Sequence, residues 1–332
     1  MFLCYSIGNV EVYPMSDVNI NENENVVEKE ENTAEETKPY NVAIEEARQS
    51  LHKSYQTSRR VSSILMIAVV LALCGVMFMI IQNNQILKIV GYSAAGALVV
   101  GMIVYYVINR NKLPNKIKEY VPFVADTLNK EMFTKPGFDE IKTNPEEKLA
   151  MDDLIGDSVY KDATSINSRN VVRGTYRGHH FTYAEAALLR PSSRKQQVPP
   201  LFVGRYVTVP NQMKFDGRYI FNFKNPKLPN DLPNAIDDLT VLEDKDDFVV
   251  YGPEGANYHD VINNKIISQF KKLNVEGHLL NVNVVFWGGH TAVYLSYDDP
   301  ILAVPFEKEF DVAAFEQSVK ELIICFDAIT EE

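Results

Sequence analysis

The sequence predicts an α+β protein: a two-helix transmembrane hairpin followed by a cytoplasmic domain of mainly antiparallel β-sheet with packed helices. Three observations predict this fold class. There are two long apolar runs without charge, a period-two pattern of aromatic and β-branched residues from 171 to 223, and helix-spaced apolar residues on either side of that pattern. We expect an acidic, largely disordered cytoplasmic tail over residues 1–57, the hairpin over 58–110, and the domain over 111–332.

The tail carries most of the charge. The chain of 332 residues has a net charge of −11, and residues 11–46 contain eleven acids against two lysines. A stretch so acidic and so poor in apolar side chains cannot offset the entropy of ordering, which predicts disorder. Residues 41–57 are expected to form a polar helix that continues into the membrane. The acidic balance also argues against a dedicated nucleic-acid binder, which needs a clustered basic face.

The hairpin is predicted from two uncharged runs, 61–81 and 89–108. A helix rises about 1.5 Å per residue, so roughly 20 residues cross a hydrocarbon core about 30 Å thick. Only residues 82–88 separate the runs, so the two helices must be antiparallel. Buried core helices are the alternative, but such helices seldom continue for five turns without a polar stripe.

Flanking cations predict the orientation of the hairpin. Four basic residues precede the first run (Arg48, Lys53, Arg59 and Arg60) and four follow the second (Arg110, Lys112, Lys116 and Lys118), whereas the turn holds only Lys88. Basic residues remain on the cytoplasmic side. We therefore expect a multi-pass protein of the cell membrane with both termini in the cytoplasm.

A small-residue stripe marks the second run. Ser93, Ala97 and Gly101 are spaced by four residues, which lets another helix approach closely, either the first helix or one from a second copy. Neither run contains an ionisable side chain, which disfavours transport or conduction.

The domain elements follow from apolar periodicity. Helices are expected after Pro114, over 145–155, over 254–273 and over 311–329. Strands are expected at 171–178, 181–189, 202–209, 218–223, 239–242 and 248–251, with a final hairpin of 279–286 and 292–297. Gly288 and Gly289 between the last two supply the positive φ that a two-residue turn requires.

Two sequence blocks resemble a known family. GxYRGxxFxYxE occupies residues 174–185 and ExxDFVVYGPE occupies residues 243–254. With the order of the elements, these blocks resemble the bacterial membrane family called domain of unknown function 3137, over about residues 60–330. The resemblance implies a membrane protein with a cytoplasmic α+β domain and brings no catalytic residues.

No catalytic, metal or cofactor motif appears. His179 and His180 point to opposite faces of a strand, and His259 and His290 are isolated in sequence. Cys4, Cys74 and Cys325 are far apart, without spacing for zinc or a disulfide framework.

We therefore expect a protein that is not an enzyme and that presents a module for interaction or assembly. Its expected partners are the lipid bilayer and either another protein or a second copy. An enzyme without a recognisable motif is the third hypothesis. The second is a membrane-proximal module that binds a lipid or a small ligand. In that case Arg190, Arg194 and Lys195, in the exposed loop 190–200, would contact headgroups.

Overall fold

The computed structural model describes residues 39–81, 85–109, 112–144, 147–154, 159–160, 162–190, 199–210, 217–223, 239–273, 279–297 and 304–330. The expected disorder of the tail falls almost wholly outside these ranges. Within them the chain is α+β, with five helices and one large antiparallel sheet, as the sequence predicts.

Nine strands of the described chain form the sheet, in the order β1-β2-β3-β4-β9-β8-β5-β7-β6. Their bounds are Phe138–Asn144 (β1), Ser165–Tyr176 (β2), His179–Leu189 (β3), Phe202–Pro210 (β4), Arg218–Phe223 (β5), Thr240–Asp244 (β6), Phe248–Gly252 (β7), Leu279–Trp287 (β8) and His290–Tyr297 (β9). Every strand pair is antiparallel. The predicted strands are thus confirmed, and β1 is added at one edge.

The turn between β8 and β9 is the two-residue turn that the sequence predicts. Gly288 and Gly289 have φ values of 49° and 84°, and Trp287 pairs directly with His290. Positive φ at both central residues matches the right-handed twist of the two strands.

Five helices accompany the sheet: Tyr40–Ile81 (α1), Gln85–Asn109 (α2), Lys112–Phe133 (α3), Asn264–Phe270 (α4) and Val312–Thr330 (α5). The prediction of a helix over 254–273 is wrong in its extent, because the chain forms a 3-10 turn at Tyr258–Asp260 and then α4. Asn263 stands between them in an extended conformation and accepts a hydrogen bond from the Ile266 amide at 2.9 Å. This N-cap starts a new helix instead of continuing the old one.

The predicted helix over 145–155 is also wrong within the described residues. Residues 147–150 have no regular structure, and Met151–Leu154 is a single 3-10 turn. The Asp153 carboxylate accepts a hydrogen bond from the Ala150 amide at 2.7 Å, which favours a short turn over a continuous helix.

The main core lies between one face of the sheet and helices α1, α3, α4 and α5. Ile44 and Leu51, in the polar half of α1, are fully buried in it together with Leu128 and Met132 of α3. A smaller core on the other face is covered by Leu149, Leu154, Val159 and Tyr160. The first half of α1 therefore packs as part of the folded domain.

Beyond that packed half, α1 becomes apolar and exposed. By length and composition, α1 is long and apolar enough to cross a membrane, and none of its most apolar stretch is buried within the protein. A shorter apolar stretch, Lys88–Gly101, lies in α2. A core helix of a soluble protein is mostly buried, so the exposure of α1 favours membrane association.

Candidate functional site

A cavity of about 440 Å³ lies where β1, β2, β3, β4 and the start of β9 meet. We call it the polar cleft. Three of its ten lining residues are Gly174, Phe181 and Pro210, and the other seven carry charge or hydrogen-bonding groups: Glu140, Lys142, Arg173, His180, Thr182, Thr208 and His290. The volume lies within the range of about 300–1,000 Å³ that is usual for small-molecule sites.

Strand register aligns four of these side chains. Lys142 pairs with Arg173, Arg173 with Thr182, and Thr182 with Thr208. Directly paired residues project on the same face, with neighbouring strands about 4.8 Å apart. Two cations and two hydroxyl groups therefore form a row about 14 Å long. The row lies on the face away from the helices, because Thr182 alternates with the core residues Phe181 and Tyr183.

The two cleft histidines form a second row beside the first. His180 is two residues before Thr182, and His290 pairs with Pro210, two residues after Thr208. Residues two apart on a strand share a face and lie about 7 Å apart. The compact Pro210 ring sits on the strand between the histidines, so both imidazoles border the same space.

A β-bulge forms the outer wall of the cleft. The register of β1 against β2 shifts between Asp139 and Lys142, and Glu140 within this bulge has a φ of 54°. Gly174 lies opposite the bulge on β2. A Cβ added there would lie 2.9 Å from the Asp139 carbonyl oxygen, so the position leaves no room for a side chain. Bulges redirect side chains. Here the bulge leaves both Glu140 and Lys142 in the cleft lining.

The charge balance in the cleft is mixed. Arg173 forms an ion pair with Glu147, which precedes the turn that covers the smaller core. Besides the cations Lys142 and Arg173, the lining contains one carboxylate, that of Glu140. Within the described ranges, no three His, Cys, Asp or Glu side chains are grouped closely enough to hold a metal ion. The arrangement is suited to binding oxygen anions by N–H and O–H donors.

A buried charged cluster lies on the helix side of the same strands. Arg205 of β4 is 1% exposed, and its guanidinium donates to the Ser318 carbonyl oxygen at 2.8 Å and to Ser318 Oγ at 3.0 Å. Glu321 accepts a hydrogen bond from the Tyr297 hydroxyl at 3.0 Å, and burial raises the pKa of that phenol well above its usual value. Glu185, paired in register with Arg205, accepts from Arg169 at 2.7 Å. This cluster fixes α5 to the sheet, and none of its members is among the lining residues of the cleft.

Of the residues predicted for headgroup contact, only Arg190 lies within the described residues, and it is not in the cleft lining. Arg190 is exposed at the end of β3, ten residues and about 33 Å along an extended chain from His180. Arg194 and Lys195 lie outside the described residues.

The small-residue stripe of α2 is exposed. Ser93, Ala97 and Gly101 are all exposed, and a Cβ added at Gly101 would meet nothing within 4 Å. Gly91 makes the close approach instead, because a Cβ there would lie 3.0 Å from Met79 Sδ. Packing of the stripe against another helix, either the first helix or one from a second copy, stays a prediction.

The cleft could not be found from sequence alone. His180 and His290 are 110 positions apart in the sequence. They come together because β4 is the one strand between β3 and β9 in the sheet. The sequence indicated only that His179 and His180 lie on opposite faces of a strand. In the structure, His180 is in the cleft lining and His179 is not. His259 lies elsewhere, with its ring 4.1 Å from that of Tyr258.

Comparisons with known proteins add little. No protein-family model matches the chain. No curated protein matches it either. Among solved structures, it is similar to the crystal structure of the mycobacterial trehalose monomycolate transport factor A, TtfA, with a TM-score of 0.36 and 13% identity over 60% of this chain and 95% of that one. At this level of similarity, nothing passes from that protein to this chain.

Proposed function

We propose that this chain is a multi-pass membrane protein that holds a folded, non-catalytic module at the cytoplasmic face for interaction or assembly with other proteins. The exposure of the apolar helices carries the proposal. Large apolar side chains of α1 and α2 are exposed, among them Ile64, Met66, Leu71, Phe78, Ile86, Ile89 and Val100. Exposed apolar surface far larger than a few hundred Å² marks a protein or membrane contact.

The second crossing is part of this proposal. Residues 61–81 and 89–108 would both span the bilayer, since α2 returns along α1 with Gly91 against Met79. The polar half of α1 and helix α3 both pack into the same core, which supports placing the two ends of the hairpin on one side. The basic residues that flank the hairpin favour the cytoplasm for that side.

Cysteine labelling tests this topology. In a full-length protein with Cys4→Ser, Cys74→Ser and Cys325→Ala, a cysteine introduced at Asn83 should react with a membrane-impermeant maleimide on intact cells. One introduced at Lys245, an exposed turn of the domain, should react only after lysis. Protection of Asn83 together with labelling of Lys245 on intact cells would reverse the orientation.

Two exposed apolar side chains on the domain support an interaction role. Trp287, the one tryptophan of the chain, is 41% exposed at the end of β8, and Val241 is 56% exposed on the edge strand β6. Tryptophan is enriched at interface hot spots, and an edge strand has backbone groups able to pair with another chain.

Photo-crosslinking in the native membrane tests the interaction role. A photoreactive residue at Trp287 or Val241 should capture a discrete protein or a second copy, whereas one at Lys130, on the exposed surface of α3, should not. Equal, diffuse capture at all three sites would contradict the proposal.

We also propose that the chain belongs to the family of domain of unknown function 3137, on the two sequence blocks described above.

A lipid-binding module is the second candidate, and the exposure of Arg190 favours it. Liposome binding by the domain should then be salt-sensitive and should be lost when Arg190, Arg194 and Lys195 are all replaced by Ala. Binding that survives this triple substitution would remove the loop from consideration.

A further inference from the structure

We propose that the polar cleft is a binding site for a soluble phosphate ester. This inference goes beyond the interaction role, and only its choice of a soluble ligand over a lipid rests on the proposed membrane anchoring. The cleft lies on the opposite face of the sheet from the helices, and its lining supplies hydrogen-bond donors from five strands.

The donors suit a phosphate group. Arg173, Lys142, Thr182 and Thr208 form one row, and the imidazoles of His180 and His290 border the same cavity. A phosphate monoester presents three terminal oxygens that accept from several directions, whereas a carboxylate presents two in one plane. Guanidinium groups bind phosphate through paired N–H bonds, and the ion pair with Glu147 orients Arg173.

Glu140 restricts the organic part of the ligand. Its carboxylate only accepts hydrogen bonds when ionised, and it lies in the same lining as Lys142. A bare phosphate would gain nothing from this side chain and would be repelled by its charge. A phosphate ester whose organic part carries hydroxyl groups would instead donate to it.

The helices place the cleft far from the bilayer. α1 and α3 run antiparallel, since Lys116 Nζ donates to Ser54 Oγ at 2.8 Å near the apolar end and Tyr40 lies near Glu131 at the other. The 22 residues of α3 extend about 33 Å. Phe133 at its end packs against Phe138, the first residue of β1, with ring centroids 5.2 Å apart. The β1 wall of the cleft thus starts about 30 Å from the apolar helices, beyond the reach of a headgroup in the same membrane.

Titration of the full-length protein in lipid nanodiscs tests the inference. Glycerol 3-phosphate is the probe, with glycerol and glycerate as partners that lack the phosphate. We expect saturable binding of glycerol 3-phosphate with a Kd below about 1 mM, and binding of the other two at least tenfold weaker. Equal affinity for glycerate would overturn the assignment to phosphate, and no saturable binding of the ester would overturn the site.

Two arginines give a matched pair of variants. Arg173 and Arg177 are on or beside β2, are about half exposed, and each forms an ion pair, with Glu147 and Asp327 respectively. Arg177 is not in the cleft lining. Arg173→Gln should weaken binding at least tenfold, and Arg177→Gln less than twofold. Equal weakening by both would show diffuse charge attraction and would overturn the site.

Two further variants separate hydrogen bonding from folding. Thr182→Val and Thr208→Val keep the shape of the side chain and the β-branch, so they should leave the urea midpoint unchanged while weakening the ester three- to tenfold. Flotation with vesicles that contain phosphatidic acid tests the lipid source, and binding to these vesicles without binding to the soluble ester would contradict the inference. Carbonate extraction of the same protein tests the membrane anchoring separately.

Discussion

Replacing the buried Arg205 by Met should destabilise the domain far more than the same change at Arg169. Arg205 is 1% exposed and makes two hydrogen bonds to Ser318 of α5, and its charge attracts Glu185 and Glu321. Breaking a buried charged cluster by removing one member costs about 3–5 kcal/mol, because the opposite charge stays buried. Arg205 Nε has no hydrogen-bond partner within the described chain, so Met also relieves one existing cost. We therefore expect a loss of about 3 kcal/mol.

Arg169 provides the matched control. It pairs with Glu185 at 2.7 Å, but 40% of its side chain is exposed, and Glu185 keeps its hydrogen bond from Asn170 at 3.1 Å. An exposed ion pair contributes about 0–1 kcal/mol. The two Arg→Met variants should therefore differ in the free energy of unfolding by about 2–3 kcal/mol.

Urea unfolding of the full-length protein in detergent micelles measures this difference through the fluorescence of Trp287. With a slope of about 2–3 kcal/mol per molar urea, the midpoint of the Arg205 variant should fall about 1 M below that of the Arg169 variant. Adding Glu321→Gln to Arg205→Met should recover part of the loss, because it neutralises the charge that was left buried. Equal midpoints for the two variants, or a further loss on adding Glu321→Gln, would refute the reasoning.

Three further predictions use the same preparation. Gly204→Ala places a methyl group 1.8 Å from the Leu295 carbonyl oxygen, so β4 and β9 must separate locally; a normal urea midpoint would contradict this contact. Gly91→Leu should lower the thermal midpoint of the apolar helices by several degrees, since Met79 occupies the space, while Gly101→Leu should not; equal effects would place the close approach elsewhere. Burial raises the pKa of Tyr160 to about 12. In the unfolded chain this phenol ionises at about pH 10. The free energy of unfolding should therefore fall between about pH 10 and 12, and this group should account for about 2–3 kcal/mol of the fall. Tyr160→Phe should reduce that alkaline loss, and an unchanged pH dependence would argue against it.

Local chemistry made several elements predictable from sequence. The turn after Trp287 has two glycines and needs nothing from the rest of the chain, and the Asp311 side chain caps α5 by accepting from the Ala314 amide at 2.9 Å. Strand β1 was not predicted because its sequence, FDEIKTN, buries only Phe138 and half-buries Ile141. An edge strand with so little apolar alternation resembles a loop in sequence.

Long-range order set the limits of the rest. The apolar spacing over 254–273 is helical on both sides of Asn263, because Tyr258, Ile262 and Phe270 all pack into the same core. The spacing therefore did not reveal that Asn263 starts a new helix. The polar cleft depends on strand order and on a bulge in β1. Neither leaves a periodic signal in the sequence, so its histidines could be noted but not brought together.

Besides their packing in the main core, α1 and α3 are both hydrogen-bonded to one short segment of the domain. Arg48 of α1 donates to the Phe306 carbonyl oxygen at 3.1 Å, and the Tyr120 hydroxyl of α3 donates to the Val304 carbonyl oxygen at 3.2 Å. Residues 304–310 lead directly into α5, which Arg205 holds on the sheet. A displacement of α1 relative to α3 must therefore break one of these bonds, at about 0.5–1.5 kcal/mol each, or carry the segment with it. Because the bonds from Arg205 to Ser318 are buried, the segment yields before α5 leaves the sheet.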